Sequence, residues 1–403
     1  MDISIDIGTS FSSMCMRDRS GGISPVYIKT AVNMFGNDYA IPTAVCVDKN
    51  GDMQLGQAAM NIQQQFPQNF VCEFKRNLGE ETPFFLGGES FLPEELYTKF
   101  FIYFKECAEK AGGEPVDKVF ITYPASYPEN DKRKRKIIGA AKAAGLFDIV
   151  LVDEPTAAAM NYLEEGSLPR DAKNLMIYDF GGGTFDVSLI RCDHGQLDLI
   201  CDPGGDPECG GVDMDRAIYE DIAAAMNAQF TDVMQMVAGN PTQMKRLQFQ
   251  IQEAAVKAKH QLTTGGIVQQ TIPVGFDLLT YTLTRESFER MIAPLAAKSI
   301  TACRNILQSA NMKIEDLSAI LMVGGTSRVP LVQSMLKQFA GKTPVLTAKN
   351  MDLAVVVGAL KYREKPAADE RAKRQTQPEP KHSEPAKPPT QNSAPRNVHR
   401  YYP

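Results

Sequence analysis

Apolar positions along the chain follow two periods. Ile3-Ser4-Ile5-Asp6-Ile7 alternates apolar and polar residues, the pattern of a half-buried strand. Val119 to Tyr123 and Ile149 to Val152 are short apolar runs that predict buried strands. Leu175 to Tyr178 and Val187 to Ile190 predict strands on either side of a glycine cluster, and Ala319 to Val323 predicts another that ends in two glycines. Helical spacing lies between them. One helix is expected from Pro128 to Ala144, capped by Asn130 or Asp131 and stopped by Gly145. Residues 213–232 and 242–263 predict two longer helices, and Ser287 to Ala310 another, with a break at Pro294. Strands alternating with helices argue an α/β class.

The periodicity stops near residue 363. The last 41 residues contain eight prolines and almost no apolar side chain before Tyr401, so they cannot bury enough surface to offset chain entropy. The segment 364–403 is expected to be a disordered tail. Its Pro385-Ala386-Lys387-Pro388 fits a groove-docking pattern that any proline-rich segment also produces by chance. The last 41 residues carry a charge of +4 and the rest of the chain −9. The net charge of −5 gives no global case for nucleic acid or an anionic membrane as partner. No window approaches the roughly 18 apolar residues of a membrane span. The start, Met1 to Asp6, lacks the basic region of a secretory signal. The eight cysteines form no C-x-x-C pair, which fits reduced thiols and a cytoplasmic location. The histidines at 194, 260, 382 and 399 never fall at metal-ligand spacing, so structural zinc and a histidine-dependent triad are both disfavoured.

The chemistry concentrates around a faint repeat. Asp6-Ile7-Gly8-Thr9-Ser10 and Asp179-Phe180-Gly181-Gly182-Gly183-Thr184 each place an aspartate at a strand end before glycine and a hydroxyl residue, 173 positions apart. Glycine turns let backbone N–H groups approach phosphate oxygens. Asp6 and Asp179 suit Mg²⁺ held through water, and Ser10 and Thr184 add hydroxyl donors. Glu154 follows a buried strand and precedes Pro155, so it either points into a cleft or caps a helix. Gly324-Gly325 lets a flat base approach the backbone, with Arg328 positioned to stack on it. Gly341-Lys342-Thr343 lacks the earlier glycine of a P-loop, and neither a dinucleotide fingerprint nor a nucleophile elbow occurs. The basic run Lys132-Arg133-Lys134-Arg135-Lys136 is either a solvated helix face or a docking or targeting patch.

In this order, the segments resemble the nucleotide-binding domain of the heat shock protein 70 chaperones, within the actin and sugar-kinase superfamily. The resemblance covers roughly residues 1–363. It rests on the first hairpin, Phe74-Lys75-Arg76 with Gly79, the run Glu154-Pro155-Thr156-Ala157-Ala158-Ala159, and Asp179 to Asp186. Gly210-Gly211 with Asp213, the Gly324-Gly325 turn, and Asp352 with Gly358-Ala359 complete it. It implies a two-lobed actin-like ATPase fold with duplicated phosphate hairpins and a helical insertion over 213–299. The first lobe would span 1–173 with 351–363 returning to it, and the second 174–350.

The implied catalytic set is Lys75, Glu154, Asp179, Thr184 and Asp186, with Lys75 orienting the attacking water. The implied nucleotide contacts are Gly8, Thr9, Ser10, Phe11, Gly181, Gly182, Gly183, Gly210, Gly211, Lys259, Gly324, Gly325, Arg328 and Asp352. ATP or ADP with Mg²⁺, held by Asp6 and Asp179, would be the cofactors, with K⁺ beside them, and turnover would be slow. The chain departs from the family at Val256 and His260, where a glutamate and an arginine usually flank the lysine of the adenosine helix. Val150 and Asp153 replace the arginine and asparagine near the cleft glutamate, which argues against docking of J-domain co-chaperones. No peptide-gripping domain is expected after Tyr362. The resulting expectation is a monomeric nucleotide switch, a regulator or accessory chaperone acting through protein partners. A polymerising actin-like ATPase, a non-hydrolysing scaffold and a small-molecule kinase are the alternatives.

Overall fold

The computed structural model describes residues 1–26, 39–169, 171–193, 195–231, 239–275 and 277–362. The proline-rich tail, with Pro385, Pro388, His382 and His399, lies outside the described residues, as do His194 and the predicted end of a helix at residue 232. Met1 to Tyr362 form one compact unit.

The chain begins with strands β1 (Asp2–Ile7), β2 (Phe11–Arg17), β3 (Ile23–Pro25) and β4 (Ala40–Pro42). A small antiparallel sheet of β5 (Ala44–Val47), β6 (Met53–Leu55) and β7 (Phe70–Cys72) follows, with helix α1 (Gln57–Ile62) between its strands, and then a hairpin of β8 (Phe84–Leu86) and β9 (Glu89–Phe91). Helix α2 (Pro93–Gly112) leads to β10 (Lys118–Tyr123), helix α3 (Lys132–Ala143) to β11 (Asp148–Asp153), and helix α4 (Glu154–Glu164) ends the first half. The second half opens with β12 (Asn174–Phe180), β13 (Phe185–Asp193), β14 (Gln196–Leu199) and β15 (Gly204–Asp206). Helices α5 (Gly211–Gln229) and α6 (Pro241–Thr264), the hairpin β16 (Ile267–Val274) and β17 (Asp277–Thr284), and helix α7 (Arg285–Ser309) come next. The chain then runs through β18 (Ala319–Val323), α8 (Pro330–Ala340), β19 (Val345–Thr347) and α9 (Ala354–Lys361).

The two large sheets repeat one topology. In the first, β11 and β10 run parallel to β1, while β2 and β3 continue antiparallel on its other side. In the second, β19 and β18 run parallel to β12, while β13 and β14 continue antiparallel. Helices α4 and α9 follow the last parallel strand of each copy and pack on each other where the halves meet. Gly358 of α9 lies so close to α4 that a Cβ there would sit 1.8 Å from the Ala157 carbonyl oxygen.

Strand β1 is covered on both faces, not half-buried as its alternation suggests. Ile3, Ile5 and Ile7 pack among α2 aromatics such as Phe100 and Phe104. The intervening Ser4 is fully buried too, and its hydroxyl donates to the Val356 carbonyl of α9 at 2.6 Å. A polar residue sits there because one hydrogen bond satisfies it.

Three expectations need correction. Helix α3 starts at Lys132 rather than Pro128, because the Asp131 side chain accepts from the Arg133 N–H and fixes the first turn. Helix α7 does not break at Pro294: its stripe of Phe288, Ile292, Ala296, Ile300, Cys303 and Ile306 is buried, and that packing outweighs the lost backbone bond. The insertion over 213–299 is not wholly helical. It contains the β16–β17 hairpin, turned through Gly275 at φ 65°, with Val268, Ile272, Val274, Leu279, Tyr281 and Leu283 facing inward. Among the described residues no helix is long and apolar enough to cross a membrane.

Candidate functional site

The two hairpins that suggested a repeat are structurally equivalent. The Gly8 N–H donates to Phe11 O at 3.1 Å, and the Gly181 N–H donates to Thr184 O at 3.0 Å, closing the same tight turn in each copy. Asp6, the last residue but one of β1, stands opposite Ser13, and Asp179 stands opposite Asp186. The tips face each other closely. A Cβ on Gly182 would meet Ser10 Oγ at 2.1 Å, and one on Gly183 would meet Thr9 Oγ1 at 2.3 Å.

A cleft of about 320 Å³ opens between them. Asp6, Gly8, Thr9, Ser10, Phe11, Lys75 and Glu154 line it from the first half. Asp179, Gly181, Gly182, Gly183, Thr184, Lys259, Gly324, Gly325, Arg328 and Asp352 line it from the second. Asp186, Gly210 and Gly211 stand one layer back. Asp186 accepts from the Thr184 hydroxyl at 2.7 Å, and the Gly211 carbonyl accepts from Lys259 Nζ at 3.1 Å. Gly210 packs on the backbone of the second hairpin, where a Cβ would meet Gly183 C at 2.4 Å.

Glu154 opens helix α4 with its side chain in the cleft, while the neighbouring Asp153 caps the helix by accepting from the Thr156 N–H at 2.8 Å. The two roles left open for Glu154 are thus divided between neighbours. Lys75 Nζ lies 2.8 Å from Glu154 Oε1, and both side chains are only 13% exposed. Burial disfavours the Lys75 cation, but the Glu154 and Asp6 carboxylates outweigh it and keep the ammonium charged. Burial raises Glu154 as well, against the opposing pull of Lys75. Asp179 is raised well above the usual carboxylate range by burial and then by the charges of Glu154, Asp186 and Asp6. Burial also raises Asp186, opposed by the Thr184 hydrogen bond.

Four carboxylates thus crowd one ammonium at the base of the cleft, and a hard divalent cation would relieve their repulsion. Among the described residues no group of three or more His, Cys, Asp or Glu side chains converges to hold an ion. Asp6 and Asp179 both line the cleft, and their hard oxygen donors are of the kind that hold Mg²⁺ through water. Thr122 Oγ1 donates to Asp6 Oδ1 at 2.6 Å and fixes that carboxylate.

The far end of the cleft suits a flat ring. Gly324 holds φ 79°, and a Cβ there would strike Phe180 O at 2.4 Å and Asp179 Oδ1 at 2.6 Å, so only glycine lets the turn lie this close. Arg328 Nη1 donates to both carboxylate oxygens of Asp352, at 3.0 and 2.8 Å. Helix α6 supplies the opposite wall through Lys259, His260, Thr263 and Thr264, and Lys259 is anchored by Asp215 at 2.7 Å. The other end of α6 touches the first half. Phe249 meets Phe70 edge-on with centroids 5.2 Å apart, Lys245 donates to Gln68 at 3.1 Å, and Gln64 donates to Glu253 at 3.3 Å.

Some supporting contacts have no mark in the sequence. Arg76 crosses from the first half to the Gly183 carbonyl and to Asp213. Asp213 accepts from the Gly210 N–H at 2.8 Å, and Thr326 donates to the Gly181 carbonyl at 2.8 Å. Arg76 and Asp213 were visible in their motifs, but nothing in sequence showed that they meet. The basic run of α3 is largely engaged within the fold. Arg133 binds Asp131 and lies over Tyr127, Lys134 lies over Tyr123, Arg135 donates to Asn130 O, and Lys136 pairs with Glu94.

Residues 81–361 match the family model described as Hsp70 protein. The chain belongs to the Hsp70 family. It is 31% identical over 368 residues to the chaperone protein DnaK of Mycoplasmopsis pulmonis, covering 89% of this chain and 57% of that protein. A chaperone protein HscA homolog of Pseudomonas putida is 34% identical over 383 residues, 89% of this chain and 56% of its own length. The chain therefore spans about half the length of the curated Hsp70 relatives it matches. The mixed sheets and helices described above agree with the two-lobed ATPase fold of the Hsp70 family.

Proposed function

We propose that this chain is an ATP-binding and ATP-hydrolysing switch of the chaperone type, whose nucleotide state is communicated to protein partners. The observation that carries the reading is the pair of equivalent hairpins closing on one cleft, with the Lys75–Glu154 pair at its base. The hairpin N–H groups and the hydroxyls of Thr9 and Ser10 bind and orient the phosphates. Lys75, held charged and pinned by Glu154, orients the attacking water against the terminal phosphate. Bound Mg²⁺ supplies charge neutralisation at the phosphate oxygens. Thr184 and Asp186 act together, since the hydroxyl that reaches the cleft is fixed by the carboxylate behind it. The base would lie on Gly324-Gly325 beside Arg328, whose Nη1 is tethered to both carboxylate oxygens of Asp352. Contacts from both halves along α6 and the Arg76 bridge let phosphate occupancy set how firmly the halves close.

Single-turnover hydrolysis of ATP with Mg²⁺, measured beside ATP affinity, tests this. Lys75→Ala should keep affinity within a few-fold and lose at least about 100-fold in turnover. Normal turnover in the variant removes Lys75 from the mechanism. A wild type that binds no nucleotide overturns the whole reading, and ATP-dependent light scattering would replace the switch with a filament.

A further inference from the structure

Behind the carboxylates lies a second, much smaller space. It measures about 10 Å³ and is walled by Glu154, Asp179, Asp186, Ser188 and Ile177, with prolines closing its far side. That is the room of roughly one water molecule. Ser188 is 2% exposed, and among the described residues its hydroxyl has no hydrogen-bond partner. Asp186 accepts from Thr184 on Oδ2 and Glu154 accepts from Lys75 on Oε1, which leaves Asp186 Oδ1 and Glu154 Oε2 outside those two bonds.

The internal repeat shows that this hydroxyl is no requirement of the fold. Ser188 pairs across the hairpin with Ile177, and the equivalent pair in the first half is Cys15 with Ser4. There Cys15 is fully buried in an apolar cluster, and the polar partner Ser4 is satisfied by Val356. The second copy instead places a serine in the wall of a space that three carboxylate residues also line. Polar recesses of this size hold ordered water that bonds the groups lining them.

We propose that the recess binds one permanent water and that Ser188, by anchoring it, is a positioning residue that sets the orientation of Asp186 and Glu154 for hydrolysis. The role rests on the hydrolysis reading above. The water holds the open oxygens of the two carboxylates, so their other oxygens stay committed to Thr184 and Lys75.

A crystal structure of the wild type at a resolution that shows ordered solvent should contain one water within hydrogen-bond distance of Ser188 Oγ and a carboxylate. Ser188→Ala should slow single-turnover hydrolysis about tenfold. Its ADP affinity should stay within about twofold of wild type, since the cleft wall is untouched. Ser188→Thr, which keeps the hydroxyl, should restore the rate. No density in the recess overturns the water site, and Ser188→Ala with wild-type turnover overturns the positioning role. A wild type that binds ATP without turning it over defeats the hydrolysis reading and the role of Ser188 with it, while the density still decides the water.

Discussion

The two hairpins share a backbone and differ in what they carry. The first presents Thr9 and Ser10, and the second presents Gly182 and Gly183 at the corresponding tip. The Cβ distances explain the difference: side chains on both tips would overlap, so one copy supplies hydroxyls and the other bare backbone. The base of the second hairpin is charged where the first is neutral, Asp186 against Ser13. A symmetric scaffold has thereby become an asymmetric site. The duplicated part fixes geometry, and the diverged part fixes chemistry.

The largest test strikes where the halves meet. Gly358→Ala drives a methyl into the Ala157 carbonyl of α4, which must move away. The expected loss is about 3 kcal/mol, read from urea unfolding. Gly139 on α3 is the control, because nothing lies within 4 Å of a Cβ there. Gly139→Ala should stabilise by roughly 0.5–1 kcal/mol through helix propensity alone. Equal effects at both positions would mean that the helix pair does not constrain the halves.

The next test breaks the complementarity of the tips. Gly183→Val places a branched side chain on Thr9 and should weaken ADP binding about 100-fold, or some 2.7 kcal/mol, at little cost in stability. Thr9→Gly in the same chain should recover part of that loss by clearing the space. A double variant no better than Gly183→Val would show that the valine harms the site through its own backbone.

Much of this was legible because the constraints are local. A glycine turn after a strand-end aspartate fixes its own geometry, so both hairpins and most of the cleft could be read from short motifs. The strands of the small sheet and the β8–β9 hairpin were not seen, because runs of three or four residues are too short to show a period. The β16–β17 hairpin carries alternation on both sides of Gly275, but each strand is short beside the long helical patterns that flank it. Contacts set by tertiary approach had no local mark. Gly358 against Ala157, Arg76 against Gly183, Thr122 against Asp6 and the recess beside Ser188 join residues far apart in the chain. Pro294 misled for the same reason, since a local breaker was overruled by distant packing.

The smallest test compares the ionisable groups the halves bring to the cleft. The first half brings Lys75, a cation held charged by carboxylates. The second brings His260, which is pushed down to about 3 by burial and then by the Lys259 and Arg328 charges. The folded chain keeps this imidazole neutral, while the unfolded chain protonates it below about pH 6.5. Between these values the unfolded state binds more protons, so stability is fully present above pH 6.5 and is lost as pH falls toward 3. At pH 5.5 the loss should be about 1 kcal/mol. Urea unfolding of His260→Gln at pH 7.5 and 5.5 isolates it: the variant should gain about that much relative to wild type at the lower pH. An identical pH dependence in both chains would show that His260 takes up its proton without resistance. Its wall of the cleft would then gain a positive charge on mild acidification, and the electrostatic contrast with Lys75 would vanish.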